Sequence, residues 1–201
     1  THHTNEIAQS QACNHTEPAK YWMHTNMLTV NGTRMSKSAG NGFLPHELFS
    51  GSHPLLNRGY SPMAVRFFML QAHYRSTLDF SNEALDAADK GYRRLMNAMA
   101  LLPKLKASGK KSEVDIAALK QRCYAAMNDD FNSPVLIAEL FEAVRMVNSV
   151  YDGKQAIDAA SLDSLRTLMH HFVYDVLGLV NDNTRSDDFE KLMDVVIALC
   201  N

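Results

Sequence analysis

Cysteine is scarce in this 201-residue chain: Cys13, Cys123 and Cys200 lie far apart, and no two of them form a Cys-x-x-Cys pair. That usage argues against a disulfide scaffold and a self-contained zinc finger, and it fits a reducing cytoplasm, the compartment expected. Long apolar runs are missing too. None approaches the roughly 20 residues that a membrane span needs, and the first residues lack a basic stretch followed by an apolar one, so neither membrane nor export is expected. Neither sign of charge is in excess, with 20 Lys+Arg against 22 Asp+Glu, so any nucleic-acid contact must be made by a local surface. Internal repeats are absent. The chain opens directly on a helical pattern, THHTNEIAQ, without an initiator Met, and we expect it to be a piece of something longer.

What is present is mostly helical periodicity. Residues 4–13 read as a short helix, and Leu28-Thr29-Val30 as a short strand closed by Asn31-Gly32, a dipeptide suited to a type I′ hairpin turn. Pro45 to Phe49 predicts a helical turn, and Pro62 opens a helix carrying Met63, Val65, Phe67, Phe68 and Leu70. From Asn82 onward Leu85, Ala88, Tyr92, Leu95, Met99 and Leu102 recur at spacings of three and four, the seam of one long helix. The basic stretch PKLKASGKK, 103–111, breaks that helix and reads as a linker. Beyond it Ile116, Leu119, Cys123 and Met127 form one stripe. Ser133-Pro134 is expected to cap and open the next helix, whose Ile137, Leu140, Phe141, Val144 and Tyr151 share a face. Leu162, Leu165, Met169, Phe172 and Val176, and then Phe189, Leu192 and Val196, supply two more stripes of an antiparallel helical bundle. On these stripes Cys123 and Cys200 are expected as core residues.

Two short stretches could carry chemistry. His2 and Glu6 are four residues apart on a helix, so both project from one face and could share a metal, although such a pair is more often a solvated face. Cys13 is nearly on the same face but about 10 Å further along the axis, too far to join them on a straight helix. The second stretch is NGTRMSKSAGNG, 31–42. Two cations flanked by hydroxyls, with glycines at 32, 40 and 42, can close over a polyphosphate and withdraw afterwards; a basic surface loop is the plain alternative. Trp22, His24 and His3 are candidates for lining a substrate pocket, against the commoner reading of an aromatic just before a strand as core. Arg75 and the linker lysines Lys104, Lys106, Lys110 and Lys111 are candidates for phosphate contacts, against plain solvated residues.

HHTNEIAQSQA at residues 2–12, KYWMHTNMLTVNGTRMSKSAGN at 20–41, AHYRSTLDFS at 72–81 and NDDFNSPVLIAELFEAVRMVN at 128–148 together resemble the cysteinyl-tRNA synthetases, a class I aminoacyl-tRNA synthetase family. The likeness covers residues 1 to about 180 in the family's order. It implies a mainly α chain: the C-terminal end of a Rossmann-type class I catalytic domain over 1–80, with the KMSKS loop and stem-contact region, followed by a helical tRNA-binding bundle over 81–201. The HIGH motif and two cysteine zinc ligands would lie outside this chain, which is expected to be inactive by itself. Three positions depart from the family: Arg34 stands where the signature has Lys, Thr4 where Glu is frequent, and Gln11 where Glu is usual. Arg keeps the charge but is a planar fork.

The resemblance also implies the site and its chemistry. His2 and Glu6 would be ligands of Zn2+, Arg34, Met35, Ser36, Lys37 and Ser38 would bind ATP, and Lys37 would be catalytic. Cysteine, ATP with Mg2+, and tRNA(Cys) would be the substrates, and a monomer is expected. Two other readings stay open at this point: a non-catalytic tRNA-binding module, and the related cysteine ligase of mycothiol synthesis, which shares the loop and zinc chemistry but uses an amino-sugar acceptor.

Overall fold

The computed structural model describes residues 3–36 and 38–182. Within them the chain is mainly α with one small sheet, as its periodicity predicts. Helix α1 (Thr4–Asn14) leads through an extended stretch to strands β1 (Leu28–Val30) and β2 (Thr33–Arg34). Asn31 and Gly32 make the expected tight turn, with φ of 49° and 75°, and Val30 faces Thr33 across an antiparallel ladder. Positive φ at two successive positions is what a two-residue hairpin demands and what Asn-Gly tolerates.

Helices α2 (Pro45–Ser50) and α3 (Pro62–Leu70) each carry proline in the first turn, where its missing N–H costs nothing. Ser61 caps α3 by accepting a hydrogen bond from Ala64 N at 3.1 Å. Where α2 ends, its backbone crosses the chain at residues 58–59 so closely that a Cβ on Gly51 would lie 2.3 Å from Gly59 N, and one on Gly59 2.3 Å from Phe49 O. Strand β3 (Leu78–Phe80) then runs parallel to β1, pairing Leu28 with Leu78 and Val30 with Phe80, to give the order β2-β1-β3. The sequence pattern does not announce β3, because three residues carry no readable alternation and the partner is distant.

Helix α4 (Asn82–Leu101) is the long seam helix: Leu85, Ala88, Tyr92, Leu95 and Met99 are buried as their spacing predicts, and Leu102 is buried in a 3-10 turn, Leu102–Lys104. The stretch 103–111 does break the helix, but it is tied down. Leu105 is buried, Ser108 N and Oγ both donate to Ile157 O (2.9 and 3.1 Å), and Arg166 donates to the carbonyls of Leu102 and Leu105. Helices α5 (Ile116–Asn128), α6 (Ser133–Tyr151) and α7 (Ala159–His170), continued by a π-helical turn His171–Val176, complete the bundle. One apolar core runs from Val30 and Phe80 through Phe67 and Leu95 to Leu140, Met169 and Phe172.

Three expectations about the bundle need correction. The cap of α6 is Asn132, whose Oδ1 accepts from Val135 N, while Ser133 is already helical. Tyr151 is 54% exposed, because it is the last helical residue and the chain turns away at Asp152-Gly153. Val176 leaves its stripe because the π turn widens the helix and rotates later residues, so that Val173 and Leu177 are buried instead. The stripe Phe189, Leu192 and Val196, and Cys200 with it, lie outside the described residues. Among those described, no helix is long and apolar enough to cross a membrane.

Cys123 is fully buried, as expected, whereas Cys13 is exposed. Burial pushes the Cys123 thiol up to about 11, with Glu139 adding to the effect. The folded chain therefore holds this proton more tightly than the unfolded chain, where a thiol titrates near about 8.5. The stabilisation is complete below that value and is lost as pH rises towards about 11. Iodoacetamide at about pH 8 should modify Cys13 and spare Cys123 until denaturant is added, and alkaline titration should lower the unfolding midpoint progressively; peptide mass spectrometry and circular dichroism read the two outcomes.

Candidate functional site

The basic loop leaves the end of the β1–β2 hairpin, and the hairpin is itself fixed to β3. Asp79 Oδ1 accepts from Thr29 Oγ1 at 2.6 Å and from Gly32 N at 2.8 Å, so one carboxylate holds both a central strand and the tip of the turn. Arg34 is exposed on β2, opposite Thr29. Met35 N donates to Leu28 O at 3.2 Å, and its half-buried side chain packs on the core. Ser36 N donates to Asn41 Oδ1 at 2.9 Å, and Asn41 Nδ2 donates to Arg34 O at 3.2 Å. The Ser36 hydroxyl accepts from Ala39 N at 3.2 Å and lies 3.3 Å from the exposed Ser38 hydroxyl. Gly40 closes the loop with φ of 63°. Phe43 then packs edge-on against His53, and Glu47 accepts from Leu44 N at 2.8 Å at the start of α2.

The loop residues read from the sequence are thus brought together, but with different duties. Arg34 and Ser38 present exposed side chains, Met35 is an anchor, and the Ser36 oxygen is engaged inside the turn. Lys37 lies outside the described residues. Asn41 and Asp79, which shape the loop, were not singled out from the sequence. Their available signals are slight: an Asn between two glycines, and a polar residue in the middle of LDF.

On the first helix, α1, Glu6 is exposed, with Oε1 3.5 Å from His3 Nδ1. His2 lies outside the described residues. Among the described residues no group of three or more His, Cys, Asp or Glu is placed to hold a metal. A carboxylate is a donor that zinc accepts, so the chemistry of Glu6 suits one place in a tetrahedral set. Cys13, at the far end of the same helix, is not brought to Glu6.

His3 stacks on Trp22 with ring centroids 4.4 Å apart and meets His24 at 5.0 Å. Trp22 is 43% exposed, so the expectation of a core aromatic is overturned: α1 buries none of its residues and leaves the ring on an open face. Trp22, His24 and Asn26 line, with Tyr74 and Arg75, a depression of about 390 Å3. Asn26 fixes its wall by donating from Nδ2 to Arg75 O at 2.7 Å and from N to Tyr74 O at 3.1 Å.

Arg75 is exposed, but its guanidinium is already committed. Arg75 Nε lies 3.0 Å from Asp130 Oδ2, Tyr74 OH donates to Asp130 Oδ1 at 2.8 Å, and His73 Nε2 is 3.1 Å from Asp130 O. The Tyr74 hydroxyl first, and Asp130 second, raise the guanidinium's hold on its proton. Two of the four stretches that carry the family resemblance, 72–81 and 128–148, therefore meet at one carboxylate.

Comparison with known proteins matches residues 1–90 to the family model described as tRNA synthetases class I (C) catalytic domain, and residues 122–181 to the DALR domain. The chain is 48% identical over 202 residues to a cysteine–tRNA ligase of Porphyromonas gingivalis, covering 98% of this chain and 41% of that protein. A cysteine–tRNA ligase of Bacteroides fragilis is 48% identical over 200 residues, with 98% and 40% covered, and one of Chlorobaculum tepidum is 40% identical over 179 residues, with 89% and 34% covered. The chain thus spans about two fifths or less of the length of these curated relatives. The hairpin-borne RMSKS loop, two family models in chain order and near-half identity along almost the whole chain agree: this chain belongs to the cysteinyl-tRNA synthetase family.

Proposed function

We propose that the chain works as part of a cysteine–tRNA ligase in the cytoplasm, with the loop 34–41 acting on ATP and the helices after it serving tRNA(Cys). The observation that carries this reading is the loop itself. A hairpin held by Asp79 and a turn held by Ser36 and Asn41 present the cation of Arg34 on the edge strand of the sheet, three residues ahead of Lys37 in the chain. The cysteine carboxylate attacks the α-phosphorus of ATP, the bond to the bridging oxygen breaks, and pyrophosphate leaves with that electron pair. The 3′-terminal hydroxyl of the tRNA then attacks the acyl carbon of cysteinyl-adenylate, and AMP departs. Charge builds on the pyrophosphate oxygens only as they leave, so a cation aimed there lowers the barrier more than it tightens substrate binding. Lys37 is assigned that role. Arg34 and Ser38 would bind phosphate oxygens, while Met35 and Ser36 keep the loop in place, and Mg2+ would accompany the ATP.

His2 and Glu6 would hold Zn2+ together with ligands from outside this chain. Bound there, zinc supplies a soft Lewis acid that favours the thiolate of cysteine over the hydroxyl of serine. Glu6 and the neighbouring rings of His3, Trp22 and His24 border the same face and would orient the amino acid. The match of residues 122–181 to the DALR domain supports a tRNA acceptor over an amino sugar.

In the full-length protein, Lys37→Ala should lower the maximal rate of adenylate formation about a hundredfold to a thousandfold, with ATP affinity little changed. Arg34→Lys should be nearly silent. Rapid-quench adenylation against ATP concentration separates the two effects, and a variant weakened only in ATP binding would make the loop a binding clamp. Glu6→Ala should reduce zinc content and cysteine affinity together, measured by atomic absorption and by the KM for cysteine in pyrophosphate exchange; loss of cysteine affinity at full zinc content would remove Glu6 from the ligand set.

A further inference from the structure

We propose that Asn41 is the positioning residue of the loop: its side-chain amide stands in for a missing strand neighbour and sets where the backbone delivers Lys37. The inference deepens the ligase reading and rests on it. Asn41 is one of very few polar residues buried among those described, 8% exposed, and its side-chain oxygen and nitrogen both bond to loop backbone. Its Nδ2 donates to the carbonyl of Arg34 and its Oδ1 accepts from the N–H of Ser36, the two groups that flank Met35. One residue of a parallel strand makes the same pair of bonds, to the carbonyl before its partner and the N–H after it. On its other side Met35 is bonded through its own N–H to Leu28 O on β1. The amide therefore extends the ordered edge of the sheet beyond Arg34 to Ser36, and Lys37 follows at once. The next fixed point is Ala39 N on the Ser36 hydroxyl, so this anchor too depends on where Ser36 sits.

The chemistry of the side chain is specific. Only a group that donates and accepts in one plane satisfies both backbone partners, so Asn41→Ala removes both bonds, while Asn41→Asp at neutral pH keeps the acceptor for Ser36 N and sets a negative oxygen against Arg34 O. Neither bond reaches the helices, so the effect of losing them should stay in the loop.

The test uses the full-length protein and two independent readouts. Hydrogen–deuterium exchange resolved at the Ser36 amide should speed up at least tenfold in Asn41→Ala, with the amides of α4 and α6 unchanged. Cysteine-dependent ATP–pyrophosphate exchange should show kcat reduced about tenfold to a hundredfold, the range expected for misplacing a group by a fraction of an ångström to an ångström, with the KM for cysteine and the affinity for tRNA unchanged. Asn41→Asp should fall between wild type and Asn41→Ala in Ser36 exchange. It is the variant to read if Asn41→Ala also loosens the helices. An unchanged Ser36 exchange rate would overturn the clasp. Faster Ser36 exchange with normal kcat would overturn its role in placing Lys37. Absence of exchange activity in the wild-type protein would sink the ligase reading, and the catalytic half of this inference with it, while the Ser36 amide would still report on the clasp.

Discussion

The parallel pairing of β1 with β3 fixes where the loop can be. Leu28 faces Leu78 and Val30 faces Phe80, and the ladder continues at its ends through Leu78 N to Met27 O and Asn31 N to Phe80 O. Two parallel strands cannot be joined by a tight turn, so residues 31–77 must leave one end of the sheet and return to the other. The hairpin, the loop, α2 and α3 all lie on that excursion. Each piece is then secured locally: the turn by Asp79, the loop by Asn41, and α3 by its packing against α4.

Charged side chains join the excursion to the bundle. Arg58, after α2, donates to Asp86 Oδ1 at 2.6 Å and to Asp89 Oδ2 at 3.0 Å, and Arg93 meets the other oxygen of Asp89 at 3.1 Å. Asp89 is buried, and the two arginines give each of its carboxylate oxygens a charged hydrogen-bond partner. Arg58 hydrogen bonding holds the Asp86 carboxyl below its usual range, and burial together with Asp86 raises the Tyr60 phenol. Two other arginines serve chain ends: Arg66 donates to Leu177 O at 2.8 Å, and Arg166 reaches the carbonyls left open after α4. Arg58, Arg66 and Arg166 thus tie segments that are distant in the chain.

The hairpin, the proline-led helices and the α4 seam are legible in the sequence because each is dictated by residues within a few positions of one another. The parallel strand β3 is not, because its partner lies on the far side of the excursion. Ser133 looked like a cap and Asn132 is one, a difference of one residue that side-chain reach decides. Val176 belonged to the stripe by spacing and left it because the helix widens at His171, something no periodicity encodes. Within the site, Arg34 to Ser38 announced themselves by charge and hydroxyls. Asn41 did not, since its partners are backbone groups and backbone carries no letter in the sequence. Trp22 misled because a ring before a strand is usually covered, and here the helix that passes it buries nothing.

The turn between α5 and α6 holds two successive non-glycine residues, Asp130 and Phe131, at φ of 51° and 56°, a conformation with little room to swivel. It grips His73, Tyr74 and Arg75, and Arg75 in turn grips Asn26 just ahead of β1. In mechanical terms this is a rivet through three plates. A load placed on α5 and α6 is borne at Asp130 and passed along a short chain of bonds to the strand that carries the hairpin, so tilting the helices against the sheet means shearing those bonds or taking the loop along.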